Sequence, residues 1–542
     1  MLKIPARAWL LALLSGGLQI VVFPKLSLSV LCWISIVPLL YALLRGRGGE
    51  GELFDADGRS LRPFTLRQAF LIGWVCGVVW WGGTCYWVYP VFHAYGNLPA
   101  PVALLVTLVL GLILGMTHAF FALLVVAMAR RATVGNRRPL FTAPFFWVAI
   151  EFFRDRVLGC PWNVLGNAQV DNAPFARISA FAGVYGLSFA IVLVNCAFVS
   201  ALLLTGVRRK NLMISAVAAA IALQLGVFVS PAPFTPTREA VLIQQNVSVE
   251  QQWTTQEYDR ALFEIKEVSV STAARRASGS AQGSNQSSEP GLMIWPESPA
   301  PFYVSDPKFI AWVTELARDT NSWMIVGATG ETINAEGERL PLNSALVISP
   351  QGLVAGRYDK IHLVPFGEYV PFKRALFFMK KITQEVGDFG RGTERKVFDL
   401  DGAKAGTFIC YESAFPEEVR EFAAGGAELL VNISNDGWYG DTGAPWQHLQ
   451  MARMRAIEND RWVLVATNTG ITAAIDPFGR VARTAERNVR VGMIAPFGLR
   501  GGTTFYTRFG DLFAWLCVVI SLAAIFLRIQ ISARTMAEVR SA

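Results

Sequence analysis

Apolar runs long enough to cross about 30 Å of hydrocarbon recur eight times in this chain. Seven precede residue 232, over 8–23, 27–44, 67–89, 101–129, 140–156, 177–205 and 212–230; one more runs from Leu512 to Leu527. Such a chain reads as a polytopic α-helical membrane protein of about eight transmembrane helices. Its composition agrees: only 17% of residues are charged, against about 25% in soluble domains. The fifth run is the weakest, because Glu151, Arg154 and Asp155 crowd its end. The first, preceded by Lys3 and Arg7, has the look of a signal peptide. Further spans follow at once and no small-residue cleavage site stands out, so it reads as an uncleaved helix.

Loop charge orients the spans. Arg45, Arg47, Arg59, Arg62 and Arg67 separate runs two and three; Arg130, Arg131, Arg137 and Arg138 separate four and five. Arg208, Arg209 and Lys210 lie between six and seven, and Arg528, Arg534 and Arg540 follow the last. The alternate connections are charge-poor: Pro90 to Pro101 carries none, and the first turn only Lys25. With eight spans every basic cluster falls on one side, so both termini are expected in the cytoplasm and residues 235–505 outside it. The net charge of +8 is thereby explained without nucleic acid. The expected location is a bacterial inner membrane, with the large segment periplasmic.

From Arg238 the periodicity changes. Short β-like runs (240–244, 292–295, 323–326, 345–348, 406–409, 429–432 and 462–465) alternate with helical stretches near 256–274, 306–319, 415–425 and 444–459. Strands alternating with helices predict an α/β domain with buried strands. The expected division is a membrane domain over 1–232, a catalytic domain over 233–505, and a last helix with its tail over 506–542. The Ser/Gly/Gln-rich stretch from Ala277 to Pro290 reads as an exposed loop.

Of seven cysteines, Cys32, Cys76, Cys85, Cys196 and Cys517 fall inside apolar runs and Cys160 sits near a span end. No CxxC pair suggests a disulfide framework, and four scattered histidines give no metal spacing; no metal and no cofactor is expected. Cys410 stands apart, in Gly406-Thr-Phe-Ile-Cys-Tyr-Glu-Ser413. Upstream lie Trp295-Pro-Glu-Ser298 and Lys360-Ile-His-Leu-Val-Pro-Phe-Gly-Glu-Tyr-Val-Pro371; downstream lies Asn432-Ile-Ser-Asn-Asp-Gly-Trp-Tyr-Gly440. A Glu, a Lys and a Cys in that order, each ending or following a β-like run, resemble the nitrilase (carbon–nitrogen hydrolase) superfamily. That resemblance implies an α-β-β-α sandwich with a Glu297–Lys360–Cys410 triad. With the flanking spans, the whole chain resembles the apolipoprotein N-acyltransferase family.

Chemistry supports these assignments. A thiol is a weak nucleophile at its free pKa of about 8.5 and needs a base or cation. Glu297, at the end of an apolar strand, is the candidate base. Lys360 is the fixed cation for thiolate and oxyanion, with the Tyr411 backbone N–H as a second oxyanion donor. The resemblance adds Glu368, to orient Lys360 or an incoming amine, and Glu412; for each of the two the bland alternative is a structural ion pair. Asn343 and Asn435 complete the supporting positions. The basic, aromatic stretch Pro371–Lys381 suits an amphipathic arm at an anionic surface. Trp438 and Tyr439, between Gly437 and Gly440, are placed to touch acyl chains, and Trp253 to line the same pocket; core packing is the alternative.

The resemblance implies a ping-pong acyl transfer. Cys410 takes a fatty acyl chain from a phospholipid, with the sn-1 chain of phosphatidylethanolamine indicated, and passes it to the α-amine of a diacylglyceryl-cysteine apolipoprotein. A monomer is expected. The rival enzyme is a membrane-tethered amidase or nitrilase on a small soluble substrate, for which one anchor would suffice. A transporter would need ionisable residues along its spans, and the first four runs are nearly free of them.

Overall fold

The computed structural model describes residues 4–46, 63–129, 138–204, 206–232, 234–280, 290–298, 300–335, 337–370 and 388–541. Packing divides the chain into two compact units: Met1–Tyr89, Ala100–Ser230 and Phe509–Ala542 form one, Pro90–Pro99 and Pro231–Arg508 the other.

The first unit is helical. Among the described residues four helices are long and apolar enough to cross a membrane alone: Ala100–Ala129, Ser179–Leu202, Gly206–Phe228 and Leu512–Gln530. The run expected over 67–89 is not one straight helix. Leu66–Thr84 ends before a separate turn begins at Val88; counted with that broken partner it makes a fifth candidate. Gly82 and Gly83 weaken its last turn, and the Thr84 hydroxyl bonds back to the Trp80 carbonyl at 2.7 Å. Runs one and two give shorter helices, Ala6–Val21 and Val37–Arg45, the latter preceded by the 3-10 turn Ser29–Trp33.

Small residues let these helices meet. A Cβ on Gly77 would stand 2.4 Å from the Gly115 carbonyl, and one on Gly73 2.5 Å from that of His118. Such close backbone approach drives helix association where lipid is as apolar as leucine. Arg138–Val157 buries Glu151, Arg154 and Asp155. Arg154 Nε donates to Asp155 Oδ1 at 2.9 Å, Tyr185 Oη to Asp155 Oδ2 at 2.8 Å, and the Leu165 N–H to Glu151 Oε1 at 2.8 Å. Pairing is what makes buried charge tolerable there.

The second unit holds two six-stranded sheets among the described residues. The first contains β1 (Arg238–Gln244), β2 (Gly291–Ile294), β3 (Ser322–Ile333), β4 (Arg339–Ile348) and β5 (Val354–Asp359). The second contains β6 (Val397–Asp399), β7 (Lys404–Ile409), β8 (Leu429–Ser434), β9 (Trp462–Thr467), β10 (Ala473–Ile475) and β11 (Val481–Thr484). β12 (Val491–Phe497) returns to pair antiparallel with β1, giving the order β12-β1-β2-β3-β4-β5 beside β11-β10-β9-β8-β7-β6.

Period-two alternation sorts the side chains. Ala240, Leu242, Leu292, Ile294 and Ile325 share one core with Phe408, Leu430, Val431, Val463 and Val465 of the second sheet. Their neighbours Val241, Ile243, Met293, Met324 and Val326 face the other way, onto Leu262 and Ile265 of helix Thr255–Ser280 and Phe309 and Val313 of helix Pro307–Asp319. Helices Pro416–Ala424 and Ala444–Asn459 add Val419, Phe422, Ala452 and Ala456 to the shared core. The helix expected near 256–274 runs on to Ser280, so Ala277–Ser280 are helical rather than loop. The rest of that loop up to 289, like Pro371–Lys381, lies outside the described residues.

This topology aims the motifs at one edge. β1, β2 and β3 run parallel, and β5 is antiparallel to β4, which is antiparallel to β3. The carboxyl ends of β2 and β5, which precede Glu297 and Lys360, therefore point the same way. In the second sheet β7, β8 and β9 run parallel, and Cys410 and Asn435 directly follow β7 and β8. Ligand sites form at such carboxyl edges.

Candidate active site

Lys360 leaves β5 with its backbone N–H on the Asn343 carbonyl at 2.8 Å. Its Nζ reaches two carboxylates, Glu368 Oε1 at 2.9 Å and Glu297 Oε1 at 3.3 Å. The Asn343 amide spans the same pair: Nδ2 donates to Glu297 Oε1 at 2.6 Å and to Glu368 Oε1 at 2.7 Å, one hydrogen for each. Glu297 Oε2 accepts the Asn435 backbone N–H at 2.7 Å, and Glu368 Oε2 that of Val364 at 2.8 Å. Lys360, Glu297 and Asn343 are buried, with Lys360 1% and Glu297 6% exposed, and Glu368 is partly buried. Burial works against charge on Lys360, but Glu297 and Glu368 more than offset it and hold the ammonium above its usual range.

Close packing keeps Glu297 in place. A Cβ on Gly327 of β3 would stand 2.1 Å from the Pro296 carbonyl and 2.8 Å from Glu297 Cα. Only glycine leaves room for that loop, and the next residue, Ser298, sits at φ +31°.

Cys410 opens the 3-10 turn Cys410–Ala414 at φ +51°. A non-glycine residue there costs about 1–2 kcal/mol, and such strain persists where the surroundings over-determine it. Burial pushes the thiol well above its ordinary range, as does the charge of Glu297; Lys360 pulls it back, and Asp436 raises it again. Ser434 lowers it. Glu412 ties this turn to the Lys360 segment. Its Oε2 accepts the Ile409 N–H at 2.7 Å, and its Oε1 those of Ile361 at 2.7 Å and His362 at 3.1 Å. Tyr358 Oη donates to both oxygens at 2.9 Å.

Glu412, Glu418 and His362 bring one ligand atom each within 4.8 Å. Glu412 already faces these donors, and Arg395 forks onto Glu418 at 2.9 and 2.7 Å. The donor set is that of a hydrogen-bonded clamp, in which a cation would compete with a guanidinium.

Against this geometry the sequence comparisons are decisive. The family model for Carbon-nitrogen hydrolase matches residues 274–495, and that for the Apolipoprotein N-acyltransferase N-terminal domain matches 15–197. An apolipoprotein N-acyltransferase of Geobacter metallireducens is 36% identical over 95% of this chain and 94% of its own. One of Azotobacter vinelandii is 33% identical over 83% of this chain and 84% of its own. The chain belongs to the apolipoprotein N-acyltransferase family. A third member, from Pseudomonas syringae pv. tomato, is 32% identical over 81% and 84% of the two chains.

Of the residues expected in an N-acyltransferase site, Glu297, Lys360, Glu368, Asn343 and Asn435 form one hydrogen-bonded cluster, and Cys410 lies within the electrostatic reach of Glu297 and Lys360. Tyr439 is buried beside Cys410; burial, then the neighbouring Cys410, holds its phenol well above the usual range. Tyr411 packs edge-on against Phe415 at 5.1 Å. Trp438 is 46% exposed and stands edge-on to Tyr95 at 6.2 Å. Trp253 is 38% exposed and, among the described residues, makes no hydrogen bond or ring contact with Glu297, Lys360 or Cys410. Phe92 meets Phe366 at 6.3 Å. Phe92 and Tyr95 escaped the sequence reading, which saw Pro90 to Pro101 only as a charge-free connection.

Proposed function

We propose that this protein is a membrane-embedded N-acyltransferase that loads a fatty acyl chain from a phospholipid onto Cys410 and transfers it to the N-terminal α-amine of a diacylglyceryl-cysteine apolipoprotein. The observation that carries the reading is the match to a relative so named across 95% of the chain. Both the apolar half and the α/β half are covered, whereas a tethered amidase would require only the second.

In the proposed cycle Glu297 takes the Cys410 proton as Sγ attacks the ester carbonyl. Lys360 Nζ and the Tyr411 N–H receive the oxyanion, and the lysophospholipid alkoxide leaves with the proton returned by Glu297. The acceptor amine then attacks the thioester, Glu297 takes its proton, and the Sγ leaving group is reprotonated as the amide forms. Glu368 and Asn343 keep Lys360 and Glu297 in register. The loops' charge supports eight spans, cytoplasmic termini and a periplasmic catalytic unit in a bacterial inner membrane; a monomer suffices for this chemistry.

Intact-mass measurement after incubation with phosphatidylethanolamine vesicles tests it. Wild type is expected to gain one fatty acyl mass, lost on addition of a diacylglyceryl-cysteine peptide that becomes acylated, while Cys410→Ser carries no thioester and acylates no peptide. Undiminished peptide acylation by Cys410→Ala would overturn the reading.

A further inference from the structure

Helix Ala444–Asn459 directs a buried histidine at the backbone of the nucleophile. His448 Nε2 lies 3.0 Å from the Cys410 carbonyl oxygen, and Nδ1 lies 2.9 Å from Asp436 Oδ1. The Ser434 hydroxyl also donates to Asp436 Oδ1, at 2.7 Å. His448 and Asp436 are each 3% exposed and Ser434 is fully buried. Gly470 closes the pocket: a Cβ there would stand 2.5 Å from Asp436 Oδ2.

Both ring neighbours are acceptors, a carbonyl and a carboxylate, so each imidazole nitrogen carries its hydrogen and the ring is cationic. Burial opposes that charge, and Asp436, then Glu297, offsets it, leaving the ring's pKa above its usual value. A doubly protonated ring has no lone pair with which to take the thiol proton, and Nε2 faces a carbonyl rather than Sγ. Asp436 raises the thiol's pKa, so the pair does not serve to ionise the sulfur. What it does hold is a carbonyl whose residue sits at φ +51°, with Asn432 Nδ2 as a weaker second donor at 3.4 Å.

We propose that His448, held by Asp436, is a positioning residue for acyl transfer: its Nε2–H anchors the Cys410 carbonyl, keeps the nucleophile in its left-handed turn and so fixes the line along which Sγ attacks. This rests on the reading of Cys410 as nucleophile. The ring's two nitrogens face Asp436 and the Cys410 carbonyl, so its action on the reaction passes through Cys410. A displaced nucleophile costs on the order of 10²-fold in rate, which sets the size of the effect.

The test is the rate of acyl-enzyme formation from phosphatidylethanolamine vesicles, followed by intact mass, in wild type, His448→Leu, His448→Gln, Asp436→Asn and Cys410→Ser. His448→Leu should acylate about 10²-fold more slowly at an unchanged half-saturating lipid concentration. His448→Gln, whose amide nitrogen reaches the same carbonyl without a charge, should recover at least about tenfold of that loss. A merely structural histidine predicts no rescue, and a general base predicts that both variants fail equally; either result overturns the proposal, as does a His448→Leu rate within about threefold of wild type. If His448→Leu does not fold, Asp436→Asn decides: an unchanged rate overturns the proposal, and a loss of about tenfold or more supports it. An adduct on Cys410→Ser removes the nucleophile reading itself; its absence there beside an unimpaired His448→Leu removes the positioning role alone.

Discussion

Cys410 rests as a thiol. Burial and Glu297 hold its proton, and Lys360 offsets them only in part, so its alkylation by iodoacetamide at pH 7 should be slower than that of a free cysteine and should rise only in alkaline solution. The two charges act with opposite sign. Glu297→Gln removes a negative neighbour and should move the alkylation profile to lower pH; Lys360→Met removes the positive one and should move it higher. Shifts in the reverse directions would deny these residues their electrostatic roles. Both variants should still lose acylation, because a thiol that must ionise during attack needs base and cation together. Glu297 and Cys410 stood out in the sequence because each follows a short apolar run, and Lys360 because of the string it opens. His448 was not: its partners lie 12 and 38 positions away, and a lone histidine within a helix announces no contact. Asn343 could be named, but its division between two carboxylates could not.

The Glu412 turn shows what one short element contributes. Its carboxylate ties the segment behind Lys360 to the residue before Cys410, so two strand ends from different sheets share one anchor. Burial and the nearby Glu418 lift Glu412 from an ordinary 4.5 to about 7. The folded state thus takes up this proton more readily than the unfolded chain. The associated stability is fully present below about pH 4.5 and is lost as pH rises through about 7. Glu412→Gln should flatten that part of the melting-temperature profile and slow acyl-enzyme formation by about tenfold or more, since a neutral amide accepts the three N–H groups less well. A variant with wild-type rate and an unchanged profile would reduce Glu412 to filler. Strands with solid apolar runs, such as β8 and β9, were readable. β5 and β11 were not, because polar and small residues interrupt their runs and pairing with a neighbour, not hydrophobicity, makes them strands.

At the scale of the molecule, the two-part organisation was written in hydropathy, and membership of the family follows from similarity along both parts. The individual spans were less legible. Arg138–Val157 is a helix whose Asp155 pairs with Arg154 and accepts a hydrogen bond from Tyr185, thirty residues on, which a window of hydropathy cannot register. The membership of Pro90–Pro99 in the unit built by Pro231–Arg508 was invisible too, since sequence distance hides it. It has a practical consequence. A soluble fragment cut at the obvious boundary, 231–508, lacks ten residues of its own body and uncovers the ring faces of Phe366 and Trp438 that Phe92 and Tyr95 meet. Such a fragment should self-associate in light scattering and bind a hydrophobic dye, and a synthetic decapeptide of sequence 90–99 should suppress both. Truncation here amputates a part that the linear map assigns to somewhere else.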